Sequence, residues 1–223
     1  MSKTIITAVD ETDLGSFKKV IDSLDSDLCM LKIGSVSFNA FGHEAVFYAS
    51  KKGFDIFLDL KLHDIPNTVK KSIEGLKSLP ISMITIHTSG GTKMMQSAMD
   101  AVKGSKIKIF GVTALTSLSD NDTNQIYQRD ASSQVNAMLD LAEESGLDGV
   151  VCSPHELNLV SKRVGLLSIT PGIRLIDTKD DQSRVMTPKQ AIELGADYLV
   201  IGRPITASDD ISASLKEIYK SIQ

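Results

Sequence analysis

Short apolar runs rich in β-branched residues recur along the chain. They alternate with longer stretches whose apolar residues return every three or four positions. The runs at 4–9, 28–33, 55–60, 81–86, 107–112, 149–152, 166–169 and 198–201 predict eight strands. The intervals 13–24, 39–51, 66–78, 91–103, 132–145, 154–163, 187–194 and 208–222 predict helices. The strand segments are nearly continuous in apolar character, as parallel strands buried on both faces must be. Boundary residues agree with this phase. Pro66 suits a first helical turn. Ser153-Pro154 and Thr187-Pro188 read as N-caps followed by a first-turn proline. Gly146, Gly165 and Gly195 stand where a helix must stop before the next strand. Met94, Met95 and Met99 fit a core-facing helix stripe.

Eight β-then-α units predict an α/β chain closed into a (β/α)8 TIM barrel, organised as a single domain over 1–223. A doubly wound open sheet is the structural alternative, but no GxGxxG follows the first strand, which removes its usual dinucleotide-binding reading. No linker or low-complexity tract interrupts the pattern. Two intervals are longer than their neighbours, 113–131 after strand five and 172–186 after strand seven. Both follow strands, which places them on the face where barrel enzymes carry their sites.

A net charge of −4 excludes a broad basic surface for nucleic acid, so any anion site must be local. The N-terminal segment lacks the apolar stretch of a signal peptide, and no run approaches the ~18 apolar residues of a membrane span. A soluble cytoplasmic protein is expected. Cys29 and Cys152 fall in strand-like runs without CxxC spacing and are expected to be buried, reduced thiols.

Polar residues gather at the C-terminal ends of the strands: Asp10, Lys32, Asp59 and Lys61 with Asp64 beyond, His87 and Thr88, Thr113 and Thr116, Arg174, and Arg203. Asp59 and Lys61 are two apart on a strand, so they share a face while Leu60 points away. At the end of a barrel strand that face is the mouth. A structural ion-pair network is the competing reading, yet several charges at one mouth would cost desolvation for little stability. Gly202-Arg203 after strand eight reads as a phosphate site built on the N-terminus of a short helix. Arg174 in Pro171-Gly172-Ile173-Arg174 offers a second planar donor fork. His43 and His155 read as surface or packing residues, His63 has a structural or a substrate-side reading, and His87, ending strand four, either lines the mouth or packs beside it.

The block Asp59-Leu60-Lys61-Leu62-His63-Asp64-Ile65-Pro66-Asn67-Thr68 resembles the active-site signature of the orotidine 5′-phosphate decarboxylase family. Ala8-Val9-Asp10, Lys32-Ile33-Gly34, Val112–Ser117, Thr170–Arg174, Asp181-Gln182 and Val200–Ile205 follow in the family's order, so the resemblance covers almost the whole chain. It implies conversion of orotidine 5′-phosphate to UMP and carbon dioxide without metal or organic cofactor. It also implies a homodimer with two shared active sites. Catalysis would fall to Lys61, Asp59, Lys32 and Asp64, the last reaching with Ile65 and Thr68 into the neighbouring subunit's site. Asp10, Lys32 and Asp59 would contact the substrate near ribose and carboxylate, and Thr116 near the pyrimidine. Arg174, Gln182, Gly202 and Arg203 would grip the phosphate, with the 172–186 loop closing over it. Leu175-Ile176 stand where the family pattern has proline. A metal-dependent relative, such as 3-keto-L-gulonate 6-phosphate decarboxylase or hexulose-phosphate synthase, shares the Asp-x-Lys-x-x-Asp core but not Ile65-Pro66-Asn67-Thr68. A non-catalytic sugar-phosphate-binding barrel would need the phosphate grip but not a lysine among carboxylates.

Overall fold

The computed structural model describes residues 3–174 and 186–223. In chain order its elements are β1 (Ile5–Val9), α1 (Leu14–Asp22), β2 (Cys29–Gly34), α2 (Ser35–Phe41), α3 (His43–Lys51), β3 (Ile56–Leu62), α4 (Pro66–Leu76), β4 (Met83–His87) and α5 (Gly91–Val102). There follow β5 (Lys108–Val112), α6 (Asp120–Tyr127), α7 (Ala131–Glu144), β6 (Gly149–Val151), α8 (Leu157–Val160), β7 (Leu167–Thr170), α9 (Pro188–Glu193), β8 (Tyr198–Ile201), α10 (Arg203–Thr206) and α11 (Ile211–Ser221). The strands are parallel, pair in sequence order and close through β8 against β1, where Ile5 lies beside Leu199 and Thr7 beside Ile201. This is the (β/α)8 barrel that the alternating pattern predicts.

Strand parity sorts the side chains into two cores. Ile5, Val9, Leu31, Ile33, Ile56, Leu58, Ile84, Leu199 and Ile201 point outward and are buried beneath the helices. Ile6, Ala8, Met30, Phe57, Met83, Phe110, Ile169 and Val200 point inward and fill the barrel. The Phe110 ring meets Phe57 and Tyr198 edge-on, with centroids 6.4 and 6.2 Å away. Gly149 makes room for this plug, since a Cβ there would collide with the Phe110 ring and the Leu167 carbonyl. The inward columns therefore climb from apolar to polar: Ile6 and Ala8 on β1 with Asp10 just after it; Phe57, Asp59, Lys61 on β3; Met83, Thr85, His87 on β4. The plug seals the lower barrel, and the polar ends form the mouth.

Three helical expectations needed correction. The stretch 39–51 is two helices, because Gly42 adopts φ 57° and ψ −135°, a backbone open only to glycine. The stretch 154–163 is a 3-10 turn at Pro154–Glu156 followed by the single turn α8. The polar interval after β5 contains α6, started by a capping box between Ser119 and Asp122 that offsets its lack of an apolar stripe. Both cysteines are buried and unpaired, and burial raises the Cys29 thiol to about 11 and the Cys152 thiol further. Among the described residues no helix is long and apolar enough to cross a membrane.

Candidate active site

A cavity of about 310 Å³ opens at the C-terminal end of the barrel. It is lined by Asp10, Lys32, Asp59, Lys61, Thr116, Arg174, Gly202 and Arg203 above the floor of Ala8, Phe57, Ile169 and Val200. Four cations (Lys32, Lys61, Arg174, Arg203) face two carboxylates (Asp10, Asp59), so the lining carries +2 in a chain whose net charge is −4. This locally positive lining in an acidic chain makes the cavity the candidate anion site.

The charges form a chain. Lys32 Nζ lies 3.4 Å from Asp10 Oδ1 and 3.5 Å from Asp59 Oδ2, and Lys61 Nζ lies 2.7 Å from the same Asp59 oxygen. Asp59 is the most enclosed member, with 9% of its side chain exposed against 37% for Lys61. Burial pushes the Asp59 carboxyl upward. The Lys32 and Lys61 charges and hydrogen bonds from Lys61 and Thr85 outweigh it and hold the group below its ordinary value. Asp59 is thus a carboxylate at neutral pH. Gly34 leaves space for this arrangement: a Cβ there would lie 2.8 Å from Lys32 Nζ and 3.1 Å from Asp10 Oδ1.

Lys61 reaches the mouth by a route that simple alternation did not anticipate. Its backbone is left-handed, at φ 52°, and the β3–β4 ladder shifts register between Leu58 and Leu62. A side chain other than glycine in that region costs roughly 1–2 kcal/mol. The fully buried Thr85 sits against the distortion. Its Oγ1 accepts the Lys61 N–H at 2.9 Å and donates to Asp59 Oδ1 at 2.8 Å. Thr85 was missed from sequence, although its parity with Met83 on β4 marks it as inward-facing. Ser37 of α2 was also missed. Its buried hydroxyl accepts the Glu11 N–H at 2.9 Å and lies 3.0 Å from the Val9 carbonyl, clasping the peptides on either side of Asp10. A lone serine in a helix carries no sequence signal for such a role.

On the opposite wall, β8 runs through Gly202 into α10, which begins at Arg203 with Pro204 in its first turn. Gly172 and Arg174 bond to Met186 across the base of the 172–186 loop, by Met186 N–H to Gly172 O at 3.1 Å and Arg174 N–H to Met186 O at 3.0 Å. Arg174 is buried and donates from Nη1 to its neighbour's carbonyl at Ile173, 3.0 Å away. Gln182 and Leu175-Ile176 lie outside the described residues.

Several expected mouth residues are elsewhere. Thr88 and Thr113 are buried and donate to the Val112 and Val151 carbonyls of the adjacent strands, so they tie the barrel rather than line the cavity. His87 is half-buried and outside the lining, its ring 5.3 Å from that of His63. Burial, with repulsion from His63 and Lys61, holds its pKa below the ordinary value. Asp64, Ile65 and Thr68, which the resemblance assigns to a neighbouring subunit's site, do not line their own chain's cavity. Asp64 is exposed and accepts the Ile65 N–H at 2.6 Å, and Ile65 itself is 66% exposed. Among the described residues, no group of three or more His, Cys, Asp or Glu is placed to hold a metal ion.

Comparison with known proteins gives a consistent result. Residues 3–218 match the model of the orotidine 5′-phosphate decarboxylase / HUMPS family. The chain is 46% identical over 221 residues to an orotidine 5′-phosphate decarboxylase of Wolbachia pipientis subsp. Culex pipiens, covering 98% of each chain. It is 47% identical over 221 residues to that of Ehrlichia canis, covering 98% of this chain and 97% of the relative. The crystal structure of orotidine 5′-phosphate decarboxylase from Lactobacillus acidophilus superposes with a TM-score of 0.88 at 34% identity, covering 100% of both chains. With a matched barrel and matched sequence over nearly its full length, the chain belongs to the orotidine 5′-phosphate decarboxylase / HUMPS family.

Proposed function

We propose that the chain is an orotidine 5′-phosphate decarboxylase, forming UMP and carbon dioxide in the last step of de novo UMP synthesis without metal or organic cofactor. The observation that carries this reading is the ion chain Asp10–Lys32–Asp59–Lys61, which shares one cavity with Arg174 and Arg203 in a protein of this family.

The chemistry follows from the charges. Cleavage of the bond between C6 and the carboxylate releases carbon dioxide and leaves the electron pair on C6, with no adjacent sink. A fixed ammonium at that carbon stabilises the developing charge without reorganisation. Lys61 supplies it, and its Nζ proton then passes to C6, leaving an amine that regains a proton from water. Asp59 stands beside the departing carboxylate and is relieved of repulsion as carbon dioxide leaves. Lys32 and Asp10 hold the array and take the ribose hydroxyls, and Thr116 meets the pyrimidine. Arg174, Gly202 and Arg203 grip the phosphate with Gln182. Binding energy from that remote group lowers the barrier at C6.

The active protein is a homodimer of single-domain (β/α)8 subunits spanning 1–223, located in the cytoplasm, and each subunit completes its neighbour's site. The position of Asp64, Ile65 and Thr68 outside their own cavity supports this. So do the exposed apolar side chains of Val36, Ile65 and Leu115, on segments that follow β2, β3 and β5.

Loss of the orotate chromophore, followed with and without EDTA, tests the reading. Wild type is expected to turn over orotidine 5′-phosphate equally in both. Lys61→Ala should lower kcat by about 10³-fold or more. Absence of wild-type turnover would remove the assignment, and full loss in EDTA would favour a metal-dependent activity. Mixing Lys61→Ala with Asp64→Ala subunits should restore part of the activity, since hybrids contain one intact site. No recovery would argue against site sharing.

A further inference from the structure

We propose that Thr85 is a positioning residue for the decarboxylation: its hydroxyl sets the Asp59 carboxylate and the Lys61 ammonium relative to each other. This rests on the function proposed above.

Between Leu58 and Leu62, β3 advances four residues while β4 advances two, from Ile84 to Ile86. The intervening segment, Asp59-Leu60-Lys61, therefore leaves the regular ladder at the point where the reactive side chains emerge. A backbone N–H that loses its ladder carbonyl inside a protein needs another acceptor. For Lys61 that acceptor is Thr85 Oγ1, at 2.9 Å. The hydroxyl has one proton. Because the Lys61 amide donates to it and a carboxylate only accepts, that proton is committed to Asp59 Oδ1, at 2.8 Å.

One buried oxygen thus joins the backbone that aims the lysine to the carboxylate that faces it. The remaining contacts of Asp59 converge on its other oxygen, Oδ2, where Lys61 Nζ lies at 2.7 Å and Lys32 Nζ at 3.5 Å. Two lysines pulling on Oδ2 would rotate the carboxylate about its terminal bond, and the Thr85 bond to Oδ1 opposes that rotation. It also retains Lys61 at φ 52°, a conformation that a lysine leaves readily unless its surroundings hold it. Thr85 is fully buried and does not line the cavity, so it acts through these two residues rather than on substrate.

The test compares Thr85→Val, which keeps the shape and loses the hydroxyl, with Thr85→Ser, which keeps the hydroxyl. Wild type must first turn over orotidine 5′-phosphate; if it does not, the decarboxylase reading fails before the variants are compared. In Thr85→Val, kcat is expected to fall about 10- to 100-fold, while KM and the affinity for UMP stay within about threefold. Thr85→Ser should stay within about threefold of wild type throughout. The acidic limb of the kcat–pH profile should move to higher pH in Thr85→Val only. The groups around Asp59 are Lys32 of β2, Lys61 of β3, Thr85 and His87 of β4, and, beyond Lys32, Asp10 following β1; removing one hydrogen bond to the carboxylate favours its protonated form. Wild-type kcat in Thr85→Val would overturn the proposal, as would equal loss of kcat and UMP affinity. If Thr85→Val does not fold, the comparison is made between Thr85→Ala and Thr85→Ser. Failure of both hydroxyl-free variants to fold beside a sound Thr85→Ser would make the hydroxyl a folding element and overturn the assignment.

Discussion

At the N-terminal rim of the barrel, Asp148 and Asp197 each stand one residue before a strand and accept a backbone N–H of the strand beside it. Asp148 takes the Ile109 N–H at 2.8 Å, and Asp197 takes the Ser168 N–H at 2.8 Å while its own N–H returns to Ser168 Oγ at 2.9 Å. At the C-terminal rim, Asp10 and Asp59 also stand at strand ends but face lysines across a cavity. The residue type is the same and the partners differ. A carboxylate bonded to neighbouring backbone stitches one strand to the next. A carboxylate paired with movable ammonium groups beside an open cavity organises charge for a ligand.

The N-terminal rim repeats one device. Gly53-Phe54-Asp55, Gly146-Leu147-Asp148 and Gly195-Ala196-Asp197 each lead into a strand, with the glycine at positive φ (88°, 70°, 91°), the middle residue buried and the aspartate at the rim. Glycine ends the preceding helix in a backbone that other residues avoid, and the buried residue anchors the turn. Repetition suits a structural task that recurs around the barrel. The C-terminal rim has a repeated tie of its own, Thr88 and Thr113 each bonding the next strand's carbonyl, but the charged groups facing the cavity, Asp10, Lys32, Asp59, Lys61, Arg174 and Arg203, follow no such repeat.

This contrast can be broken in three ways. The largest effect is expected from Arg203→Ala at the mouth. Removing a guanidinium from the proposed phosphate side should lower kcat/KM by about 100-fold or more with thermal stability unchanged. Unchanged steady-state kinetics would take the phosphate from Arg203. Asp148→Ala at the other rim should do the reverse, costing about 1–3 kcal/mol in chemical denaturation, by leaving the Ile109 N–H without its acceptor, while kcat is retained. A loss of kcat at full stability would erase the distinction between the rims. Ser37→Ala sharpens the comparison most finely, since it loosens the peptides around Asp10 without touching the carboxylate. KM should rise about three- to tenfold with kcat nearly unchanged, and a fall in kcat alone would instead connect Ser37 to the Lys61 side of the array.

Much of the site was legible before the fold. Asp59 and Lys61 were placed by strand parity, and Asp10, Lys32, Arg174, Gly202 and Arg203 by their position after apolar runs; all seven line the cavity. The same rule overreached for Thr88 and Thr113, because a threonine at a strand end has a second use, bonding to the next strand's carbonyl, that its position does not distinguish. It also missed Thr85, which sits within an apolar run and supports Asp59 and Lys61 from beneath the cavity only because the neighbouring strand bulges beside it. The polar sequence of α6 concealed a helix whose start depends on a cap rather than on an apolar stripe.

The sequence by itself determined the eight strands, the parity that separates the two cores, and the charged residues delivered to one end of the barrel. These follow from local periodicity, which each segment carries independently of the others. Only the tertiary structure decided the left-handed backbone of Lys61, the Thr85 hydroxyl shared between Asp59 and Lys61, and the Ser37 clasp on the peptides of Asp10. Those contacts join residues 24–28 positions apart, on different elements. Their existence depends on how far one strand slides past the next, and no single segment contains that distance.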